Sequence, residues 1–257
     1  MSEKLSTYQK KIGVFDSGMG GISVLREMNQ NLKGIDFFYY GDIANSPYGN
    51  KSKEEITKLT KTACEYFLEK KVDAILLACN TATSASAKIL REEFSIPIFG
   101  MEPALKPALM ENPGQKIAVL ATQFTISEDK FLELEKNLNA VGRLSVFSCE
   151  GLASLVDQKN FEKSKAFLEP ILEKVRQEKI QAIVLGCTHY VLLKKIFHSL
   201  YPNVRLYDGN KGTYTHVQKS LNLQIGHSTK NHINLFLNGG SDYDYSTANY
   251  YLQEPFS

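Results

Sequence analysis

One nine-residue segment occurs twice in this chain, and that repeat constrains the fold more than any other feature. Lys71-Val72-Asp73-Ala74-Ile75-Leu76-Leu77-Ala78-Cys79 aligns with Lys179-Ile180-Gln181-Ala182-Ile183-Val184-Leu185-Gly186-Cys187. Each copy runs on into polar residues, Asn80-Thr81 in the first and Thr188-His189 in the second. Lys11-Ile12-Gly13-Val14 likewise matches Lys116-Ile117-Ala118-Val119, and Ile96-Pro97-Ile98-Phe99 matches Val204-Arg205-Leu206-Tyr207, in the same order. A repeat of this length is a folding unit that packs against its own copy. Its β-type runs alternate with amphipathic stretches, the pattern of parallel sheets covered by helices. The expected fold is therefore α/β: two pseudo-symmetric domains with mainly parallel sheets and an active-site cleft between them. The expected boundaries are 1–100 plus 211–257 for the first domain and 101–210 for the second. The proline-bearing stretch from Gly100 to Pro113 is expected to make the first crossing.

Composition narrows the function. The chain has 257 residues, 43% hydrophobic and 23% charged, and a net charge of +2 from 30 basic and 28 acidic side chains. That balance gives no field for gripping a nucleic-acid backbone or an anionic membrane. The longest apolar runs fall well short of the roughly 20 residues a bilayer span needs. Met1–Lys11 is polar and has no apolar core of a signal peptide, so a cytoplasmic location is expected. Four cysteines are too few for a disulfide scaffold and are read as separate thiols.

In open parallel sheets, ligands bind beyond the carboxyl ends of the strands. Four polar clusters are expected at such ends: Asp16-Ser17, Cys79-Asn80-Thr81, Thr122 with Thr125, and Cys187-Thr188-His189. Face-to-face packing of the repeats would set Cys79 and Cys187 on opposite walls of one cleft. A thiol acts as a base only as its thiolate, which nearby donors and helix N-termini favour. His189 is placed to exchange a proton with Cys187, and Asp16 with Cys79. Two thiols on opposite faces suit inversion of a carbon stereocentre by deprotonation and reprotonation. Blander readings stand beside this one. A lone Cys at a strand end is usually a small buried hydrophobe, and Thr122 and Thr125 are also plain helix caps. Cys64 and Cys149 are read as structural, and His198, His216, His227 and His232 as surface or core residues. The loop Gly18-Met19-Gly20-Gly21 follows a strand, opens a helix and suits a substrate carboxylate better than a nucleotide. It is neither GxGxxG nor a P-loop, and no CxxC or HExxH occurs, so no metal and no cofactor are expected.

Several motifs in order resemble the cofactor-independent aspartate/glutamate racemase superfamily, and within it the glutamate racemases. They are Ile12–Gly21, Tyr40-Gly41-Asp42 with Pro47-Tyr48-Gly49, Ala78–Ala82, Glu102-Pro103-Ala104, Ala121-Thr122 with Thr125-Ile126, and Leu185–Tyr190. The resemblance spans about positions 11–210. It implies Cys79 as the base for D-glutamate and Cys187 as the base for L-glutamate, assisted by Asp16 and His189 respectively. It also implies that Ser17, Pro47, Tyr48, Gly49, Asn80, Thr81, Thr122, Thr125 and Thr188 line the substrate site. Asp157 stands where the family carries a Glu after a Val, one methylene shorter, and is the expected acid on the Cys187 side. Val191 and Gly209 are further departures from the family pattern. The implied product, D-glutamate, serves peptidoglycan synthesis. A homodimer is the expected assembly. The alternatives are an aspartate or broader amino-acid racemase on the same scaffold, and a non-catalytic protein that binds acidic amino acids.

Overall fold

The computed structural model describes residues 9–226 and 230–253, so most of the polar N-terminal segment and His227 lie outside the described residues. The first half runs β1 (Lys10–Asp16), α1 (Ile22–Asn31), β2 (Ile35–Gly41), α2 (Lys53–Glu69), β3 (Ala74–Leu77), α3 (Asn80–Glu93) and β4 (Ile98–Gly100). Helix α4 (Leu105–Glu111) makes the expected crossing. The second half then runs β5 (Ile117–Ala121), α5 (Gln123–Ser127), α6 (Asp129–Asn137), β6 (Leu144–Ser148), α7 (Leu152–Asp157) and α8 (Phe161–Gln177). It closes with β7 (Ala182–Leu185), α9 (Thr188–Val191), α10 (Lys194–Leu200) and β8 (Arg205–Asp208). Last come α11 (Asn210–Ser220), β9 (His232–Leu237) and α12 (Asp242–Gln253).

The strands form two sheets, in the orders β4-β3-β1-β2-β9 and β8-β7-β5-β6. All of these pairs are parallel. Apart from β9, the second order repeats the first strand for strand, as the duplicated segments require. Strand β4 sits at an edge, where Pro97 just before it costs no ladder bond. Strand β9 lies beside β2, while α11 and α12 pack on α1.

Side-chain alternation decides which layer each strand residue joins. Ala74 and Leu76 of β3 face one apolar cluster, and Ile75 and Leu77 face another. In β7, Ile183 and Leu185 turn to the first of these clusters, and Ala182 and Val184 to a third. Both faces of each strand are thus buried, which is why these segments read as continuous apolar runs. The shared cluster extends from β1, β3 and α1 to β5, β7, α8 and α9, so one core joins the two halves. Burying each large apolar side chain there contributes about 1.5–3 kcal/mol.

Helix ends follow local chemistry. Ser52 caps α2 by accepting from the Glu55 amide at 3.2 Å, as the Ser52–Glu55 spacing predicts. The apolar spacing predicts a helix over 82–93; α3 starts two residues earlier, at Asn80, because the Cys79 thiol caps it by accepting from the Ala82 amide at 3.4 Å. The two halves meet closely at Gly20. A Cβ there would overlap Thr188 Oγ1 and would stand 2.6 Å from the backbone nitrogen of His189. Backbone cannot yield as a flexible side chain does, so Gly20→Ala is expected to push α9 off the β1–α1 loop. A loss of about 1–3 kcal/mol, typical of overpacking, should appear as a lower melting temperature. Unchanged melting would mean that this contact does not set the spacing of the halves.

Candidate active site

A cavity of about 340 Å³ opens where the carboxyl ends of the two sheets face each other. That volume suits a small metabolite. Ser17 reaches it from the end of β1, Pro47-Tyr48-Gly49 from the loop after β2, and Cys79-Asn80-Thr81 from the end of β3. From the other half come Thr122 after β5 and Cys187 with His189 after β7. Asp16, Thr125, Thr188 and Asp157 are not on its wall: Thr125 bonds Thr81, Asp157 bonds His189, and Thr188 and Asp16 bond each other.

The two thiols have different surroundings. Cys79 is 6% exposed, accepts from the Ala82 amide and lies 3.5 Å from the Ser17 hydroxyl. Burial, with the nearby Asp16 carboxylate, pushes its pKa up to about 12, against the pull of those two donors. Cys79 therefore holds its proton at neutral pH. Cys187 Sγ lies 3.7 Å from His189 Nδ1. On the other side of the ring, His189 Nε2 is 2.9 Å from Asp157 Oδ1. A carboxylate only accepts, so Nε2 carries a proton and Nδ1 is the nitrogen left to exchange one with Cys187. Burial opposes a charged imidazole, but Asp157 and Cys187 outweigh it and raise the His189 pKa well above the usual range.

Asp16 is fully buried. Its Oδ1 accepts from the Gly18 amide at 2.9 Å, and its Oδ2 accepts from the Thr188 hydroxyl at 3.0 Å. Those bonds join β1 to the Cys187 wall, whereas Ser17 is the side chain in contact with Cys79. The glycine loop also differs from expectation. Two of its amides are occupied by the protein itself, Gly18 bonding Asp16 and Met19 donating to Asp157 Oδ1 at 3.1 Å; Gly20 N stands 3.3 Å from His189 Nε2, a contact that is no hydrogen bond while Nε2 donates to Asp157. The loop does bind carboxylates, but they are side chains of this chain and not a substrate. Thr81, Thr122 and Thr125 form a hydroxyl cluster across the cleft, with Thr81 3.0 Å from Thr122 and 3.4 Å from Thr125. Thr122 also caps α5 by accepting from the Thr125 amide, so this one residue both caps a helix and lines the cavity, while Thr125 does not reach the wall. Asn80 Oδ1 is buried and has no hydrogen-bond partner.

Ser46, Asn50, Gln123, Cys149, Glu150, Gly151, Ala153 and Ser154 line the cavity without having been expected there. Those from Cys149 onward follow β6, which ends at Ser148. Cys149 lies just past the strand end, 1% exposed and part of the shared apolar core, so it is a core thiol that also backs the cavity wall. The carboxyl-end rule applied to β6 would have found it. Cys64 is an ordinary core thiol, with its pKa pushed up to about 12 by burial. His216 packs edge-on against Phe99, and His232 lies 3.2 Å from Asp36. Among the described residues, no three His, Cys, Asp or Glu side chains are grouped to hold a metal ion, and no helix is long and apolar enough to cross a membrane.

Residues 12–217 match the Asp/Glu/Hydantoin racemase family. The chain belongs to that family. This racemase is 52% identical over 211 residues to glutamate racemase of Leptospira interrogans serovar copenhageni, covering 82% of each chain. It is 48% identical over 248 residues to glutamate racemase of Leptospira borgpetersenii serovar Hardjo-bovis, covering 95% of this chain and 96% of that one. The crystal structure of glutamate racemase isoform RacE1 from Bacillus anthracis superposes with a TM-score of 0.83 at 26% identity, covering 95% and 94% of the two chains. The fold is thus that of an isomerase with two α/β domains.

Asp16 generates a prediction about stability. Burial raises its folded pKa above the ordinary value of an aspartate. The folded state therefore binds protons more tightly than the unfolded chain, and the penalty is complete above the folded pKa and absent below the unfolded one. Asp16→Asn keeps the shape, and the Thr188 hydroxyl can turn to accept from the new amide. This variant should melt higher than the parent at neutral pH, and the gain should shrink as pH falls toward 4, about the unfolded carboxylate value. A variant that melts lower at every pH would show that Asp16 stabilises the fold.

Proposed function

We propose that this racemase interconverts L- and D-glutamate with two thiols, Cys79 and Cys187, acting from opposite faces of the α-carbon. The observation that carries the proposal is the placement of Cys79 and Cys187 in one cavity, each at the end of the corresponding strand of its sheet. The glutamate racemase names of relatives near half identity support the choice of substrate. We take residues 1–100 with 211–257 and residues 101–210 as the two domains whose cleft holds it.

The two walls differ in their proton partners. His189, held by Asp157, stands 3.7 Å from Cys187 as the group with which that thiol exchanges a proton, while burial keeps the proton on Cys79. With Cys79 as the acid and Cys187 as the base, turnover starts from L-glutamate. The Cys187 thiolate takes the α-proton and becomes a thiol. Cys79 gives its proton to the opposite face of the carbanion and becomes the thiolate. D-glutamate leaves, and the reverse reaction starts from this second protonation state. The unpartnered Asn80 Oδ1 suits the substrate ammonium, and the hydroxyls of Thr81 and Thr122 suit a carboxylate. No Lys or Arg lines the cavity among the described residues, so the anionic substrate is held by dipoles. The D-glutamate formed would serve peptidoglycan synthesis in the cytoplasm, and a homodimer is the assembly we expect.

Circular dichroism of L-glutamate incubated with the purified protein tests the function. Its signal should decay to zero. Binding by calorimetry without decay would favour the binding-protein reading, and faster racemisation of L-aspartate would favour the broader racemase. In D₂O, early D-glutamate should carry deuterium at Cα while recovered L-glutamate stays nearly unlabelled, because different thiols serve the two faces. Label returning to L-glutamate at low conversion would overturn the two-thiol mechanism.

The Asp157–His189 pair gives a pH prediction. One thiol and one thiolate are needed together, so kcat/KM should be bell-shaped in pH. Asp157→Asn removes the charge that raises the His189 pKa, so the limb that depends on His189 should move to lower pH. Enantiomers have equal free energies in water, so kcat/KM must fall by the same factor in both directions in any variant. Only kcat and KM separately can differ between L and D. A profile with unmoved limbs would remove Asp157 from the proton relay.

A further inference from the structure

We propose that Asp42 and Asn238 form a clamp that fixes the cavity wall made by Pro47, Tyr48 and Gly49, and that both are positioning residues for substrate affinity. The proposal rests on the racemase reading for its substrate, glutamate. Loop 42–50 has no strand or long helix of its own, only two single-turn 3₁₀ segments, Ile43–Asn45 and Tyr48–Asn50. Something outside the loop must therefore fix its place in the wall.

The Tyr48 side chain is almost fully buried, and its ring packs 6.0 Å from that of Phe15. Its hydroxyl donates to Asp42 Oδ2 at 2.6 Å. Burial, with the charge of Asp42, raises the phenol pKa far above its usual value, so Tyr48 remains a donor throughout the working range. This hydroxyl is committed to Asp42, and Tyr48 shapes the wall by where its ring and backbone are held.

Asp42 is itself 2% exposed and does not line the cavity. Its carboxylate also accepts from Asn45 Nδ2 at 2.9 and 3.1 Å and from Asn238 Nδ2 at 2.7 Å. Asn238 belongs to the turn after β9. The backbone of that turn is docked on the same loop: Asn238 N–H donates to the Gly41 carbonyl at 2.8 Å, and Ala44 N–H donates to the Asn238 carbonyl at 2.8 Å. Gly239 permits the approach. Its φ is +70°, and a Cβ there would stand 2.6 Å from the Ala44 Cβ. The parallel pairing of β9 with β2 delivers this turn to the carboxyl edge of the sheet, beside the cavity. The C-terminal segment, which carries little of the family resemblance, thereby holds one wall of the site.

A looser wall weakens ground state and transition state alike, so the effect belongs in KM and leaves kcat nearly untouched. The test compares Tyr48→Phe, Asn238→Ala, Gly239→Ala and the double variant Tyr48→Phe/Asn238→Ala. Tyr48→Phe and Asn238→Ala should each raise KM about tenfold, the usual consequence of losing one hydrogen bond to a buried charge, and Gly239→Ala should raise it in the same direction by pushing the turn off Ala44. Calorimetric Kd for D-glutamate should weaken by the same factor, while kcat stays within about twofold and the pH limbs do not move. The double variant should resemble the worse single one, since both changes break one unit. Folded variants with unchanged KM and Kd would overturn the clamp, as would a fall in kcat at constant KM or additive effects in the double variant. Gly239→Ala leaves every clamp side chain intact, so it carries the test if removal of a side chain prevents folding. A parent protein that binds glutamate but does not racemise it would refute the racemase reading, and the Kd comparison would still decide the clamp.

Discussion

Hydrogen bonds across the cleft hold the two sheets with their carboxyl ends face to face, and the arrangement of the site depends on them. Thr188 donates to Asp16, Met19 donates to Asp157, and Ser46 donates to the other Asp157 oxygen at 3.0 Å. Each bond joins a residue of one half to a residue of the other. Their buried carboxylates are costly unless paired, so any rotation of the halves would expose that cost at once. The Gly20 contact with α9 works in the same direction by sterics. The cleft therefore has a preferred width, and the two thiols inherit it.

That seam explains why the site was only partly legible in sequence. The duplicated segments located Cys79 and Cys187, because equivalent strand ends are a property of the repeat. They could not show that Asp16 would bond Thr188 across the cleft, since a contact between residues 172 apart in sequence has no local signal. The Gly18–Gly21 loop was legible as an anion binder, but not as a binder of the protein's own carboxylates. The wall after β6 was missed for a simpler reason: Leu144–Ser148 is a half-exposed edge strand, and its polar residues blurred its end. Strand β9 was missed although Ile233, Leu235 and Leu237 alternate, because nothing in the repeat corresponds to it.

The fold was more legible than the site. Buried strands of four or five residues, such as Ala74–Leu77 and Ile117–Ala121, announce themselves by unbroken apolar character. Their spacing by helical segments leaves parallel pairing as the natural solution. Helix starts are less certain at the residue level, since a thiol at Cys79 can replace the usual hydroxyl or carboxylate cap. The same substitution has chemical weight. A capping thiol accepts a backbone amide, which favours its anion, whereas burial and Asp16 disfavour it.

The pseudo-symmetry is therefore structural and not electrostatic. Cys79 has a serine and an amide as neighbours, while Cys187 has a histidine backed by a carboxylate. A racemase has no thermodynamic reason to treat its faces alike, because equal free energies of the enantiomers fix only the ratio of kcat/KM values. Unequal thiols satisfy that condition as well as equal ones, provided each wall can take a proton from the α-carbon and return one to it. The proposed two-thiol route requires a single mobile charge, because two thiolates facing one substrate anion would repel it, and two thiols would leave no base. The histidine stands on one wall alone, so the halves have kept the strand ends that carry the two thiols and diverged in the neighbours that surround them.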